Sequence, residues 1–291
     1  MKVTEALGKG SPTLSFEFFP PRTQEQEEHL YQVIAQLKEF RPDFVSVTYG
    51  AMGTTRERSF FWAKEIKDKF QIEPVAHLTC VAATRDEISQ QIDYLEKIGV
   101  ENILALRGDP PEDQEKFESP PNGFNFAKEL IAFIKKKKPN FCLGAAGYPE
   151  GHRESPSLEK DIRYLKEKIG AGAEYIISQL FFENRHFFAF VERCQKAGLK
   201  VPIIPGIMPI TSLSQIKKMT RICGATIPPK LLEQLETKAE NKKAVQQIGI
   251  EQAVSQCQEL LRAKVPGLHF FAMNQAEPIS QILKQLPSLR R

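Results

Sequence analysis

Short runs rich in β-branched and aromatic residues alternate along the chain with longer stretches whose apolar positions recur at helical spacing. The first run, LSFEFFPP, sets the pattern. With a period of two, Leu14, Phe16 and Phe18 share one face of a strand while Ser15 and Glu17 share the other. Two prolines, which cannot donate ladder hydrogen bonds, end it just past Glu17. The same reading predicts strands at 14–19, 44–49, 74–80, 102–106, 141–146, 175–180, 201–204 and 268–273. Helical periodicity covers 24–40, 56–70, 84–98, 124–137, 157–169, 184–197 and 251–264, with a last helix at 278–286.

Parallel strands joined by helices need both sheet faces covered. Eight strand–helix units in 291 residues therefore predict an α/β protein with a closed (β/α)8 TIM barrel, one domain over 1–291. The glycine fingerprint of an open dinucleotide-binding sheet is absent after the first strand. The stretch 207–266 is longer than one crossover requires. Val245, Ile248, Ala253, Cys257 and Leu261 fall there at helix-like spacing, so extra helices are expected between the seventh and eighth strands.

Composition narrows the picture further. Hydrophobic content of 41% and charged content of 26% describe a soluble chain with a sizeable core. A net charge of +4 is dispersed, with Lys135–Lys138 the one basic run, and gives no reason to expect nucleic acid. No stretch is apolar for long enough to span a bilayer, and the N-terminus has no signal-peptide core. The five cysteines never fall in a CxxC spacing, which favours reduced thiols and a cytoplasmic location.

A barrel of this kind works at the C-terminal rim of its strands. Polar side chains recur late in the predicted strands: Glu17, Thr48, His77, Arg107 and Asp109 from LALRGDPP, and Gln179. Buried polar groups are costly unless paired, so their collection at one end suggests a ligand cavity. Glu17 itself admits two readings, an acid held in a pocket with a raised pKa or a structural partner of Arg107. Glu17, His77, Asp109 and His152 match no metal-ligand spacing, and no metal is expected. Tyr148 and His152 sit on the loop after the fifth strand. Asp161, Leu165 and Lys168 follow at i, i+4 and i+7 on one helix face. That face reads equally well as a nucleotide site, with an acid for a ribose and a base for a phosphate, or as a salt-bridged exposed helix.

The motifs SFEFFPPRT, SVTYGA, HLTC, LALRGDPP, GYPEGH and PGIMPI occur in the order and approximate spacing of the methylenetetrahydrofolate reductases. The resemblance runs through LHFFAMNQAE near the end of the chain. It implies a (β/α)8 barrel with bound FAD, NADH or NADPH as reductant, and methylenetetrahydrofolate as substrate in a ping-pong reaction on one flavin face. Glu17 matches the family's general acid, and its apolar neighbours are expected to raise its pKa. Asp109 matches the aspartate that meets flavin and pterin. Gln179, Gln215 and Thr48 match substrate contacts, Thr48 also lying near the flavin. Tyr49, Ala51, His77, Arg107, Gly108, Ala127, Tyr148, His152, Asp161 and Lys168 match positions that hold FAD.

Three departures stand out. Met219 replaces an aromatic or leucine that brushes substrate, and Gln275 replaces an arginine that helps hold folate. Glu167 replaces one of a basic pair near the FAD pyrophosphate. The resemblance further implies a cytoplasmic homo-oligomer, with a tetramer common among bacterial relatives, and no appended regulatory domain. Proline dehydrogenase, another flavin barrel, and a non-catalytic scaffold descended from the reductase are the alternatives.

Overall fold

A computed structural model describes residues 1–49, 56–108 and 119–289. Eight strands form a closed parallel barrel in chain order: β1 (Thr13–Phe18), β2 (Phe44–Val47), β3 (Glu73–Thr79), β4 (Asn102–Leu106), β5 (Cys142–Gly147), β6 (Tyr175–Leu180), β7 (Ile203–Ile207) and β8 (Gly267–Phe271). The helices are α1 (Val3–Leu7), α2 (Gln24–Lys38), α3 (Arg56–Glu65), α4 (Arg85–Lys97), α5 (Ala127–Lys137), α6 (Leu158–Gly170), α7 (Asn184–Lys196), α8 (Leu213–Cys223), α9 (Pro229–Thr237), α10 (Lys242–Arg262) and α11 (Ala276–Lys284).

The alternation read from the first strand is what the barrel uses. Leu14, Phe16 and Phe18 pack outward against Leu30, Val33, Ile34 and Leu37 of α2. Ser15 and Glu17 face the lumen, where β1 pairs with β2 through Glu17↔Ser46 and with β8 through Ser15↔His269. The lower lumen is filled by Phe44, Val75, Leu104, Tyr175, Ile177 and Ile204, and Val3 of α1 closes it from below. The Val3 N–H donates to Asn102 Oδ1 at 2.8 Å, which fixes α1 under the barrel. Gly144 makes this layer possible, since a Cβ there would stand 2.5 Å from the Tyr175 ring.

Several boundaries differ from the sequence reading, and three differences bear on the barrel and its added helices. Strand β7 is shifted from 201–204 to Ile203–Ile207 and continues through Pro205. Helix α10 begins at Lys242 instead of 251, because the Asn241 side chain accepts the Ala244 N–H at 3.1 Å and caps it early. Helix α1 was not anticipated, because five residues are too few to show a period. The expected extra helices are α8, α9 and the early part of α10. Their Ile216, Leu231, Leu235 and Val245 pack on Leu180, Phe182 and Met208 beyond β6 and β7. No helix among the described residues is long and apolar enough to cross a membrane.

Candidate active site at the C-terminal rim

Glu17 stands in the lumen one residue before the end of β1, with 11% of its side chain exposed. Ser46 Oγ donates to its Oε2 at 3.2 Å. The same oxygen lies 3.3 Å from His77 Nε2 and 3.6 Å from His269 Nε2. Both are ion-pair distances, although neither ring nitrogen makes an aligned hydrogen bond. Burial pushes the carboxyl pKa up, but His269 and His77 outweigh it and hold the carboxyl well below the usual carboxylate range. The expected raised pKa is therefore corrected. Phe16 and Phe18, the apolar neighbours in sequence, point out of the barrel, and the groups around the carboxylate are imidazoles and hydroxyls from other strands. The alternative pairing of Glu17 with Arg107 is also replaced: Arg107 makes a bidentate pair with Glu154, its two nitrogens 2.5 and 2.7 Å from the carboxylate oxygens.

The second feature is a cavity of about 260 Å³ at the ends of β4 and β5, roofed by α5 and α6. Arg107, Ala127, Tyr148, His152, Asp161 and Lys168, all expected around a cofactor, line it together. Tyr148 and His152 meet edge to face at 4.7 Å between ring centroids. Lys168 Nζ donates to Ala146 O at 2.8 Å and lies 5.7 Å from the centre of the Tyr148 ring. Burial of its ammonium, only partly opposed by Asp161, brings its pKa down to about 8. Burial likewise raises the Asp161 pKa, against the opposing charge of Lys168. Among the described residues, no carboxylate stands within ion-pair distance of this ammonium, so the sequence picture of an exposed Asp161–Lys168 bridge does not hold.

Gly108 borders the same rim with φ +87, and a Cβ there would stand 2.9 Å from Val81 Cγ1. Glu167, expected to subtract positive charge from the site, is neutralised by Lys128, 2.7 Å away.

Other expected positions are placed differently. The Thr48 N–H donates to Phe18 O at 2.9 Å, which ties it beside Glu17. The Tyr49 side chain turns toward α3 and α4, 6.3 Å from the Phe60 ring, with its hydroxyl donating to Gln91. His77 contacts Glu17 and is not part of the cavity lining. Gln179 Oε1 accepts the Leu180 N–H at 2.8 Å where the β6–β7 register shifts. Gln215 and Met219 lie one turn apart on α8, both partly exposed, and Gln275 is exposed at the start of α11. Ala51 and Asp109 lie outside the described residues.

Two groups of residues escaped the sequence reading. His269 was hidden inside the apolar run GLHFF, where only the period-two alternation of the strand could have pointed it inward. Phe126 and Lys128 at the start of α5 and Tyr164 in the middle of α6 also line the cavity, a placement not legible without the fold.

The family model described as methylenetetrahydrofolate reductase matches residues 2–287. The 5,10-methylenetetrahydrofolate reductases of Escherichia coli and Salmonella typhimurium are 38% identical over 272 residues, covering 92% of this chain and 88% of theirs. Methylenetetrahydrofolate reductase (NADH) 1 of Zea mays is 34% identical over 295 residues, 98% of this chain and 50% of its own length. The chain thus spans about half the length of the plant relatives it matches. Among solved structures, an uncharacterized Clostridium thermocellum protein that binds two copies of 5-methyl-5,6,7,8-tetrahydrofolic acid shares the fold. Its TM-score is 0.70 at 15% identity, over 99% of this chain and 96% of that one. A match that runs nearly end to end, on a closed barrel with its polar residues gathered at the C-terminal rim, places the chain in the methylenetetrahydrofolate reductase family.

Proposed function

We propose that the chain reduces methylenetetrahydrofolate to methyltetrahydrofolate with FAD bound at the rim cavity and NADH or NADPH as the source of hydride, the two substrates reacting in turn. Family membership supports the reaction, and the names of the plant relatives, methylenetetrahydrofolate reductase (NADH), support NADH. The observation that carries the chemistry is Glu17, a lumenal carboxylate at the working end of the barrel with protonatable partners on two strands.

The residues present fit a flavin dinucleotide. Lys168 holds an ammonium in the cavity whose proton is already weakened by burial, the condition an incoming phosphate relieves. Gly108 keeps the backbone bare where a side chain would collide. Arg107, Tyr148, His152, Asp161 and Lys168 would hold the cofactor, together with Ala127 at the start of α5. When bound, FAD supplies hydride acceptance from the nicotinamide and hydride donation to the folate.

The remaining work falls to the chain. The one-carbon bridge of the substrate is a closed five-membered ring and a poor hydride acceptor. Protonation of one bridging nitrogen lets its C–N bond break and leaves an electrophilic iminium. Glu17 is the group placed to deliver that proton, which its carboxylate must first take up, and Ser46 and the two imidazoles fix its carboxyl group in the lumen. Asp109 matches the family aspartate that meets flavin and pterin, and a negative charge there would disfavour the anionic reduced form of a bound flavin.

The test is the visible spectrum of the purified protein. A flavin band that bleaches with NADH and recovers with methylenetetrahydrofolate supports the assignment, and a colourless protein that takes up no FAD overturns it. A positioned acid contributes ~10²–10⁴-fold. Glu17→Gln should therefore slow the folate half-reaction by about that factor and leave flavin reduction by NADH within a few-fold. Equal loss of both half-reactions would remove Glu17 from the acid role.

A further inference from the structure

The chain leaves β8 through two consecutive left-handed residues, Met273 at φ +49 and Asn274 at φ +53. Neither is glycine, and among the described residues this is the one place where two such non-glycine residues adjoin. Side chains adopt this region at a cost, which asparagine bears better than methionine. Such a turn persists only where its surroundings hold it, and held strain of this kind gathers at working sites.

The Asn274 side chain supplies the hold. Its Oδ1 accepts the Phe19 N–H at 2.9 Å, and its Nδ2 donates to Phe19 O at 2.9 Å. The pairing of β1 with β8 runs to Glu17↔Phe271, and the Ala272 N–H adds a bond to Glu17 O at 3.1 Å. The amide thus stands in for a further backbone residue and carries the seam on to Phe19, just before the two prolines. The Asn274 carbonyl accepts from His29 Nε2 of α2 at 2.9 Å. The Gln275 N–H closes the turn on Ala272 O at 2.8 Å.

We infer that Asn274 is a positioning residue for the folate, splicing the turn after β8 to Phe19 so that Met273 and Gln275 are fixed beside the end of β1 that carries Glu17. This rests on the reading of the lumen mouth as the folate site. Burial does not account for the arrangement. Phe19 is 38% exposed and Gln275 is exposed, so water would satisfy the same backbone groups without a strained turn. What the splice fixes is placement. Met273 packs with Met219 of α8 on one apolar cluster, and Gln275 follows at the start of α11. Met219 and Gln275 stand at positions expected to meet the substrate. The flavin cavity lies at the ends of β4 and β5, across the ring from this seam. Asn274 acts through its neighbours and is not itself a catalytic residue.

The experiment compares the flavin-loaded wild type with Asn274→Gly, which keeps the left-handed conformation open and removes the two side-chain hydrogen bonds. The variant should raise KM for methylenetetrahydrofolate ~10-fold, the loss expected from two modest hydrogen bonds. Its kcat should stay within about threefold. The calorimetric Kd for methyltetrahydrofolate on the oxidised holoenzyme should weaken by the same ~10-fold factor. Flavin affinity and flavin reduction by NADH should stay within about twofold, because the cavity is remote from the turn. Asn274→Asp keeps the acceptor for the Phe19 N–H and loses the donor to Phe19 O. It should raise KM ~3-fold, and it stands in if Asn274→Gly does not fold.

An Asn274→Gly protein with wild-type KM and Kd overturns the inference, because the left-handed fit alone then explains the asparagine. Equal losses in both half-reactions, or a lost flavin, overturn it as well, since they mark a general structural role. A wild type whose flavin is reduced by NADH but not reoxidised by methylenetetrahydrofolate removes the folate reading and this inference with it. A wild type that is reoxidised, beside an Asn274→Gly of unchanged KM, removes the inference alone.

Discussion

Replacing Lys168 by methionine should make the flavin-free protein more stable near neutral pH and a poorer flavin binder. The native ammonium titrates at about 8 instead of 10.5 because it is buried beside a backbone carbonyl and, among the described residues, has no close counter-charge. Between those values the native state binds fewer protons than the unfolded chain, so stability rises with pH across the window. Below pH 8 the whole penalty is present.

A drop from 10.5 to about 8 corresponds to roughly 3 kcal/mol. The side chain as a whole is partly exposed, which discounts the penalty to about 2 kcal/mol. Methionine forfeits the hydrogen bond to Ala146 O, worth about 1 kcal/mol. The net gain is therefore about 1 kcal/mol at pH 7. Near pH 10.5, where the wild-type lysine is itself neutral, the variant should be less stable by a similar amount. Urea unfolding of both flavin-free proteins at pH 7, 8.5 and 10 measures the difference directly, since every other titrating group cancels. A stability difference that stays constant from pH 7 to 10 would refute the reasoning, and so would an unchanged flavin affinity.

Gly144→Ala should destabilise by ~1–3 kcal/mol, because its Cβ would meet the Tyr175 ring at 2.5 Å within the filled lumen; thermal unfolding measures this. Gly108→Ala combines φ +87 with a Cβ 2.9 Å from Val81; it should cost ~1–3 kcal/mol in stability and weaken FAD binding in a fluorescence titration. The depressed Glu17 pKa contributes stability that is complete above the ordinary carboxylate value and lost as pH falls below it. The stability advantage of wild type over Glu17→Gln should accordingly shrink between pH 5 and pH 3 in denaturant titrations. Gln275→Arg, at the exposed start of α11, should tighten binding of a folate carrying its glutamate tail, read as a lower KM at low salt with kcat unchanged.

The barrel was legible in the sequence because its strands obey a period of two and its helices a longer one. Ser15 and Glu17 could be set on the lumenal face from six residues alone. The loop and helix bearing Tyr148, His152, Asp161 and Lys168 were legible for the same reason, being one local unit whose spacing fixes a common face. The electrostatics were not. The Glu17 environment was inferred from the phenylalanines beside it in the chain, which point the other way, whereas its real partners Ser46, His77 and His269 come from three other strands. Lys168 was placed on the right face, but its hydrogen bond to Ala146 O was not read, because a backbone carbonyl of β5 is invisible to side-chain spacing. The early start of α10 could have been read from Asn241, a capping residue before a helical period.

The pairing of the last strand with the first carries a consequence for folding. Ser15 and His269 are 254 positions apart, and their contact exists only once the ring is shut. Until then Glu17 is an ordinary wet carboxylate with half of its surroundings missing. A nascent or partly melted molecule therefore lacks the enclosed carboxylate, and the final stitch of assembly is also the step that builds the pocket around it.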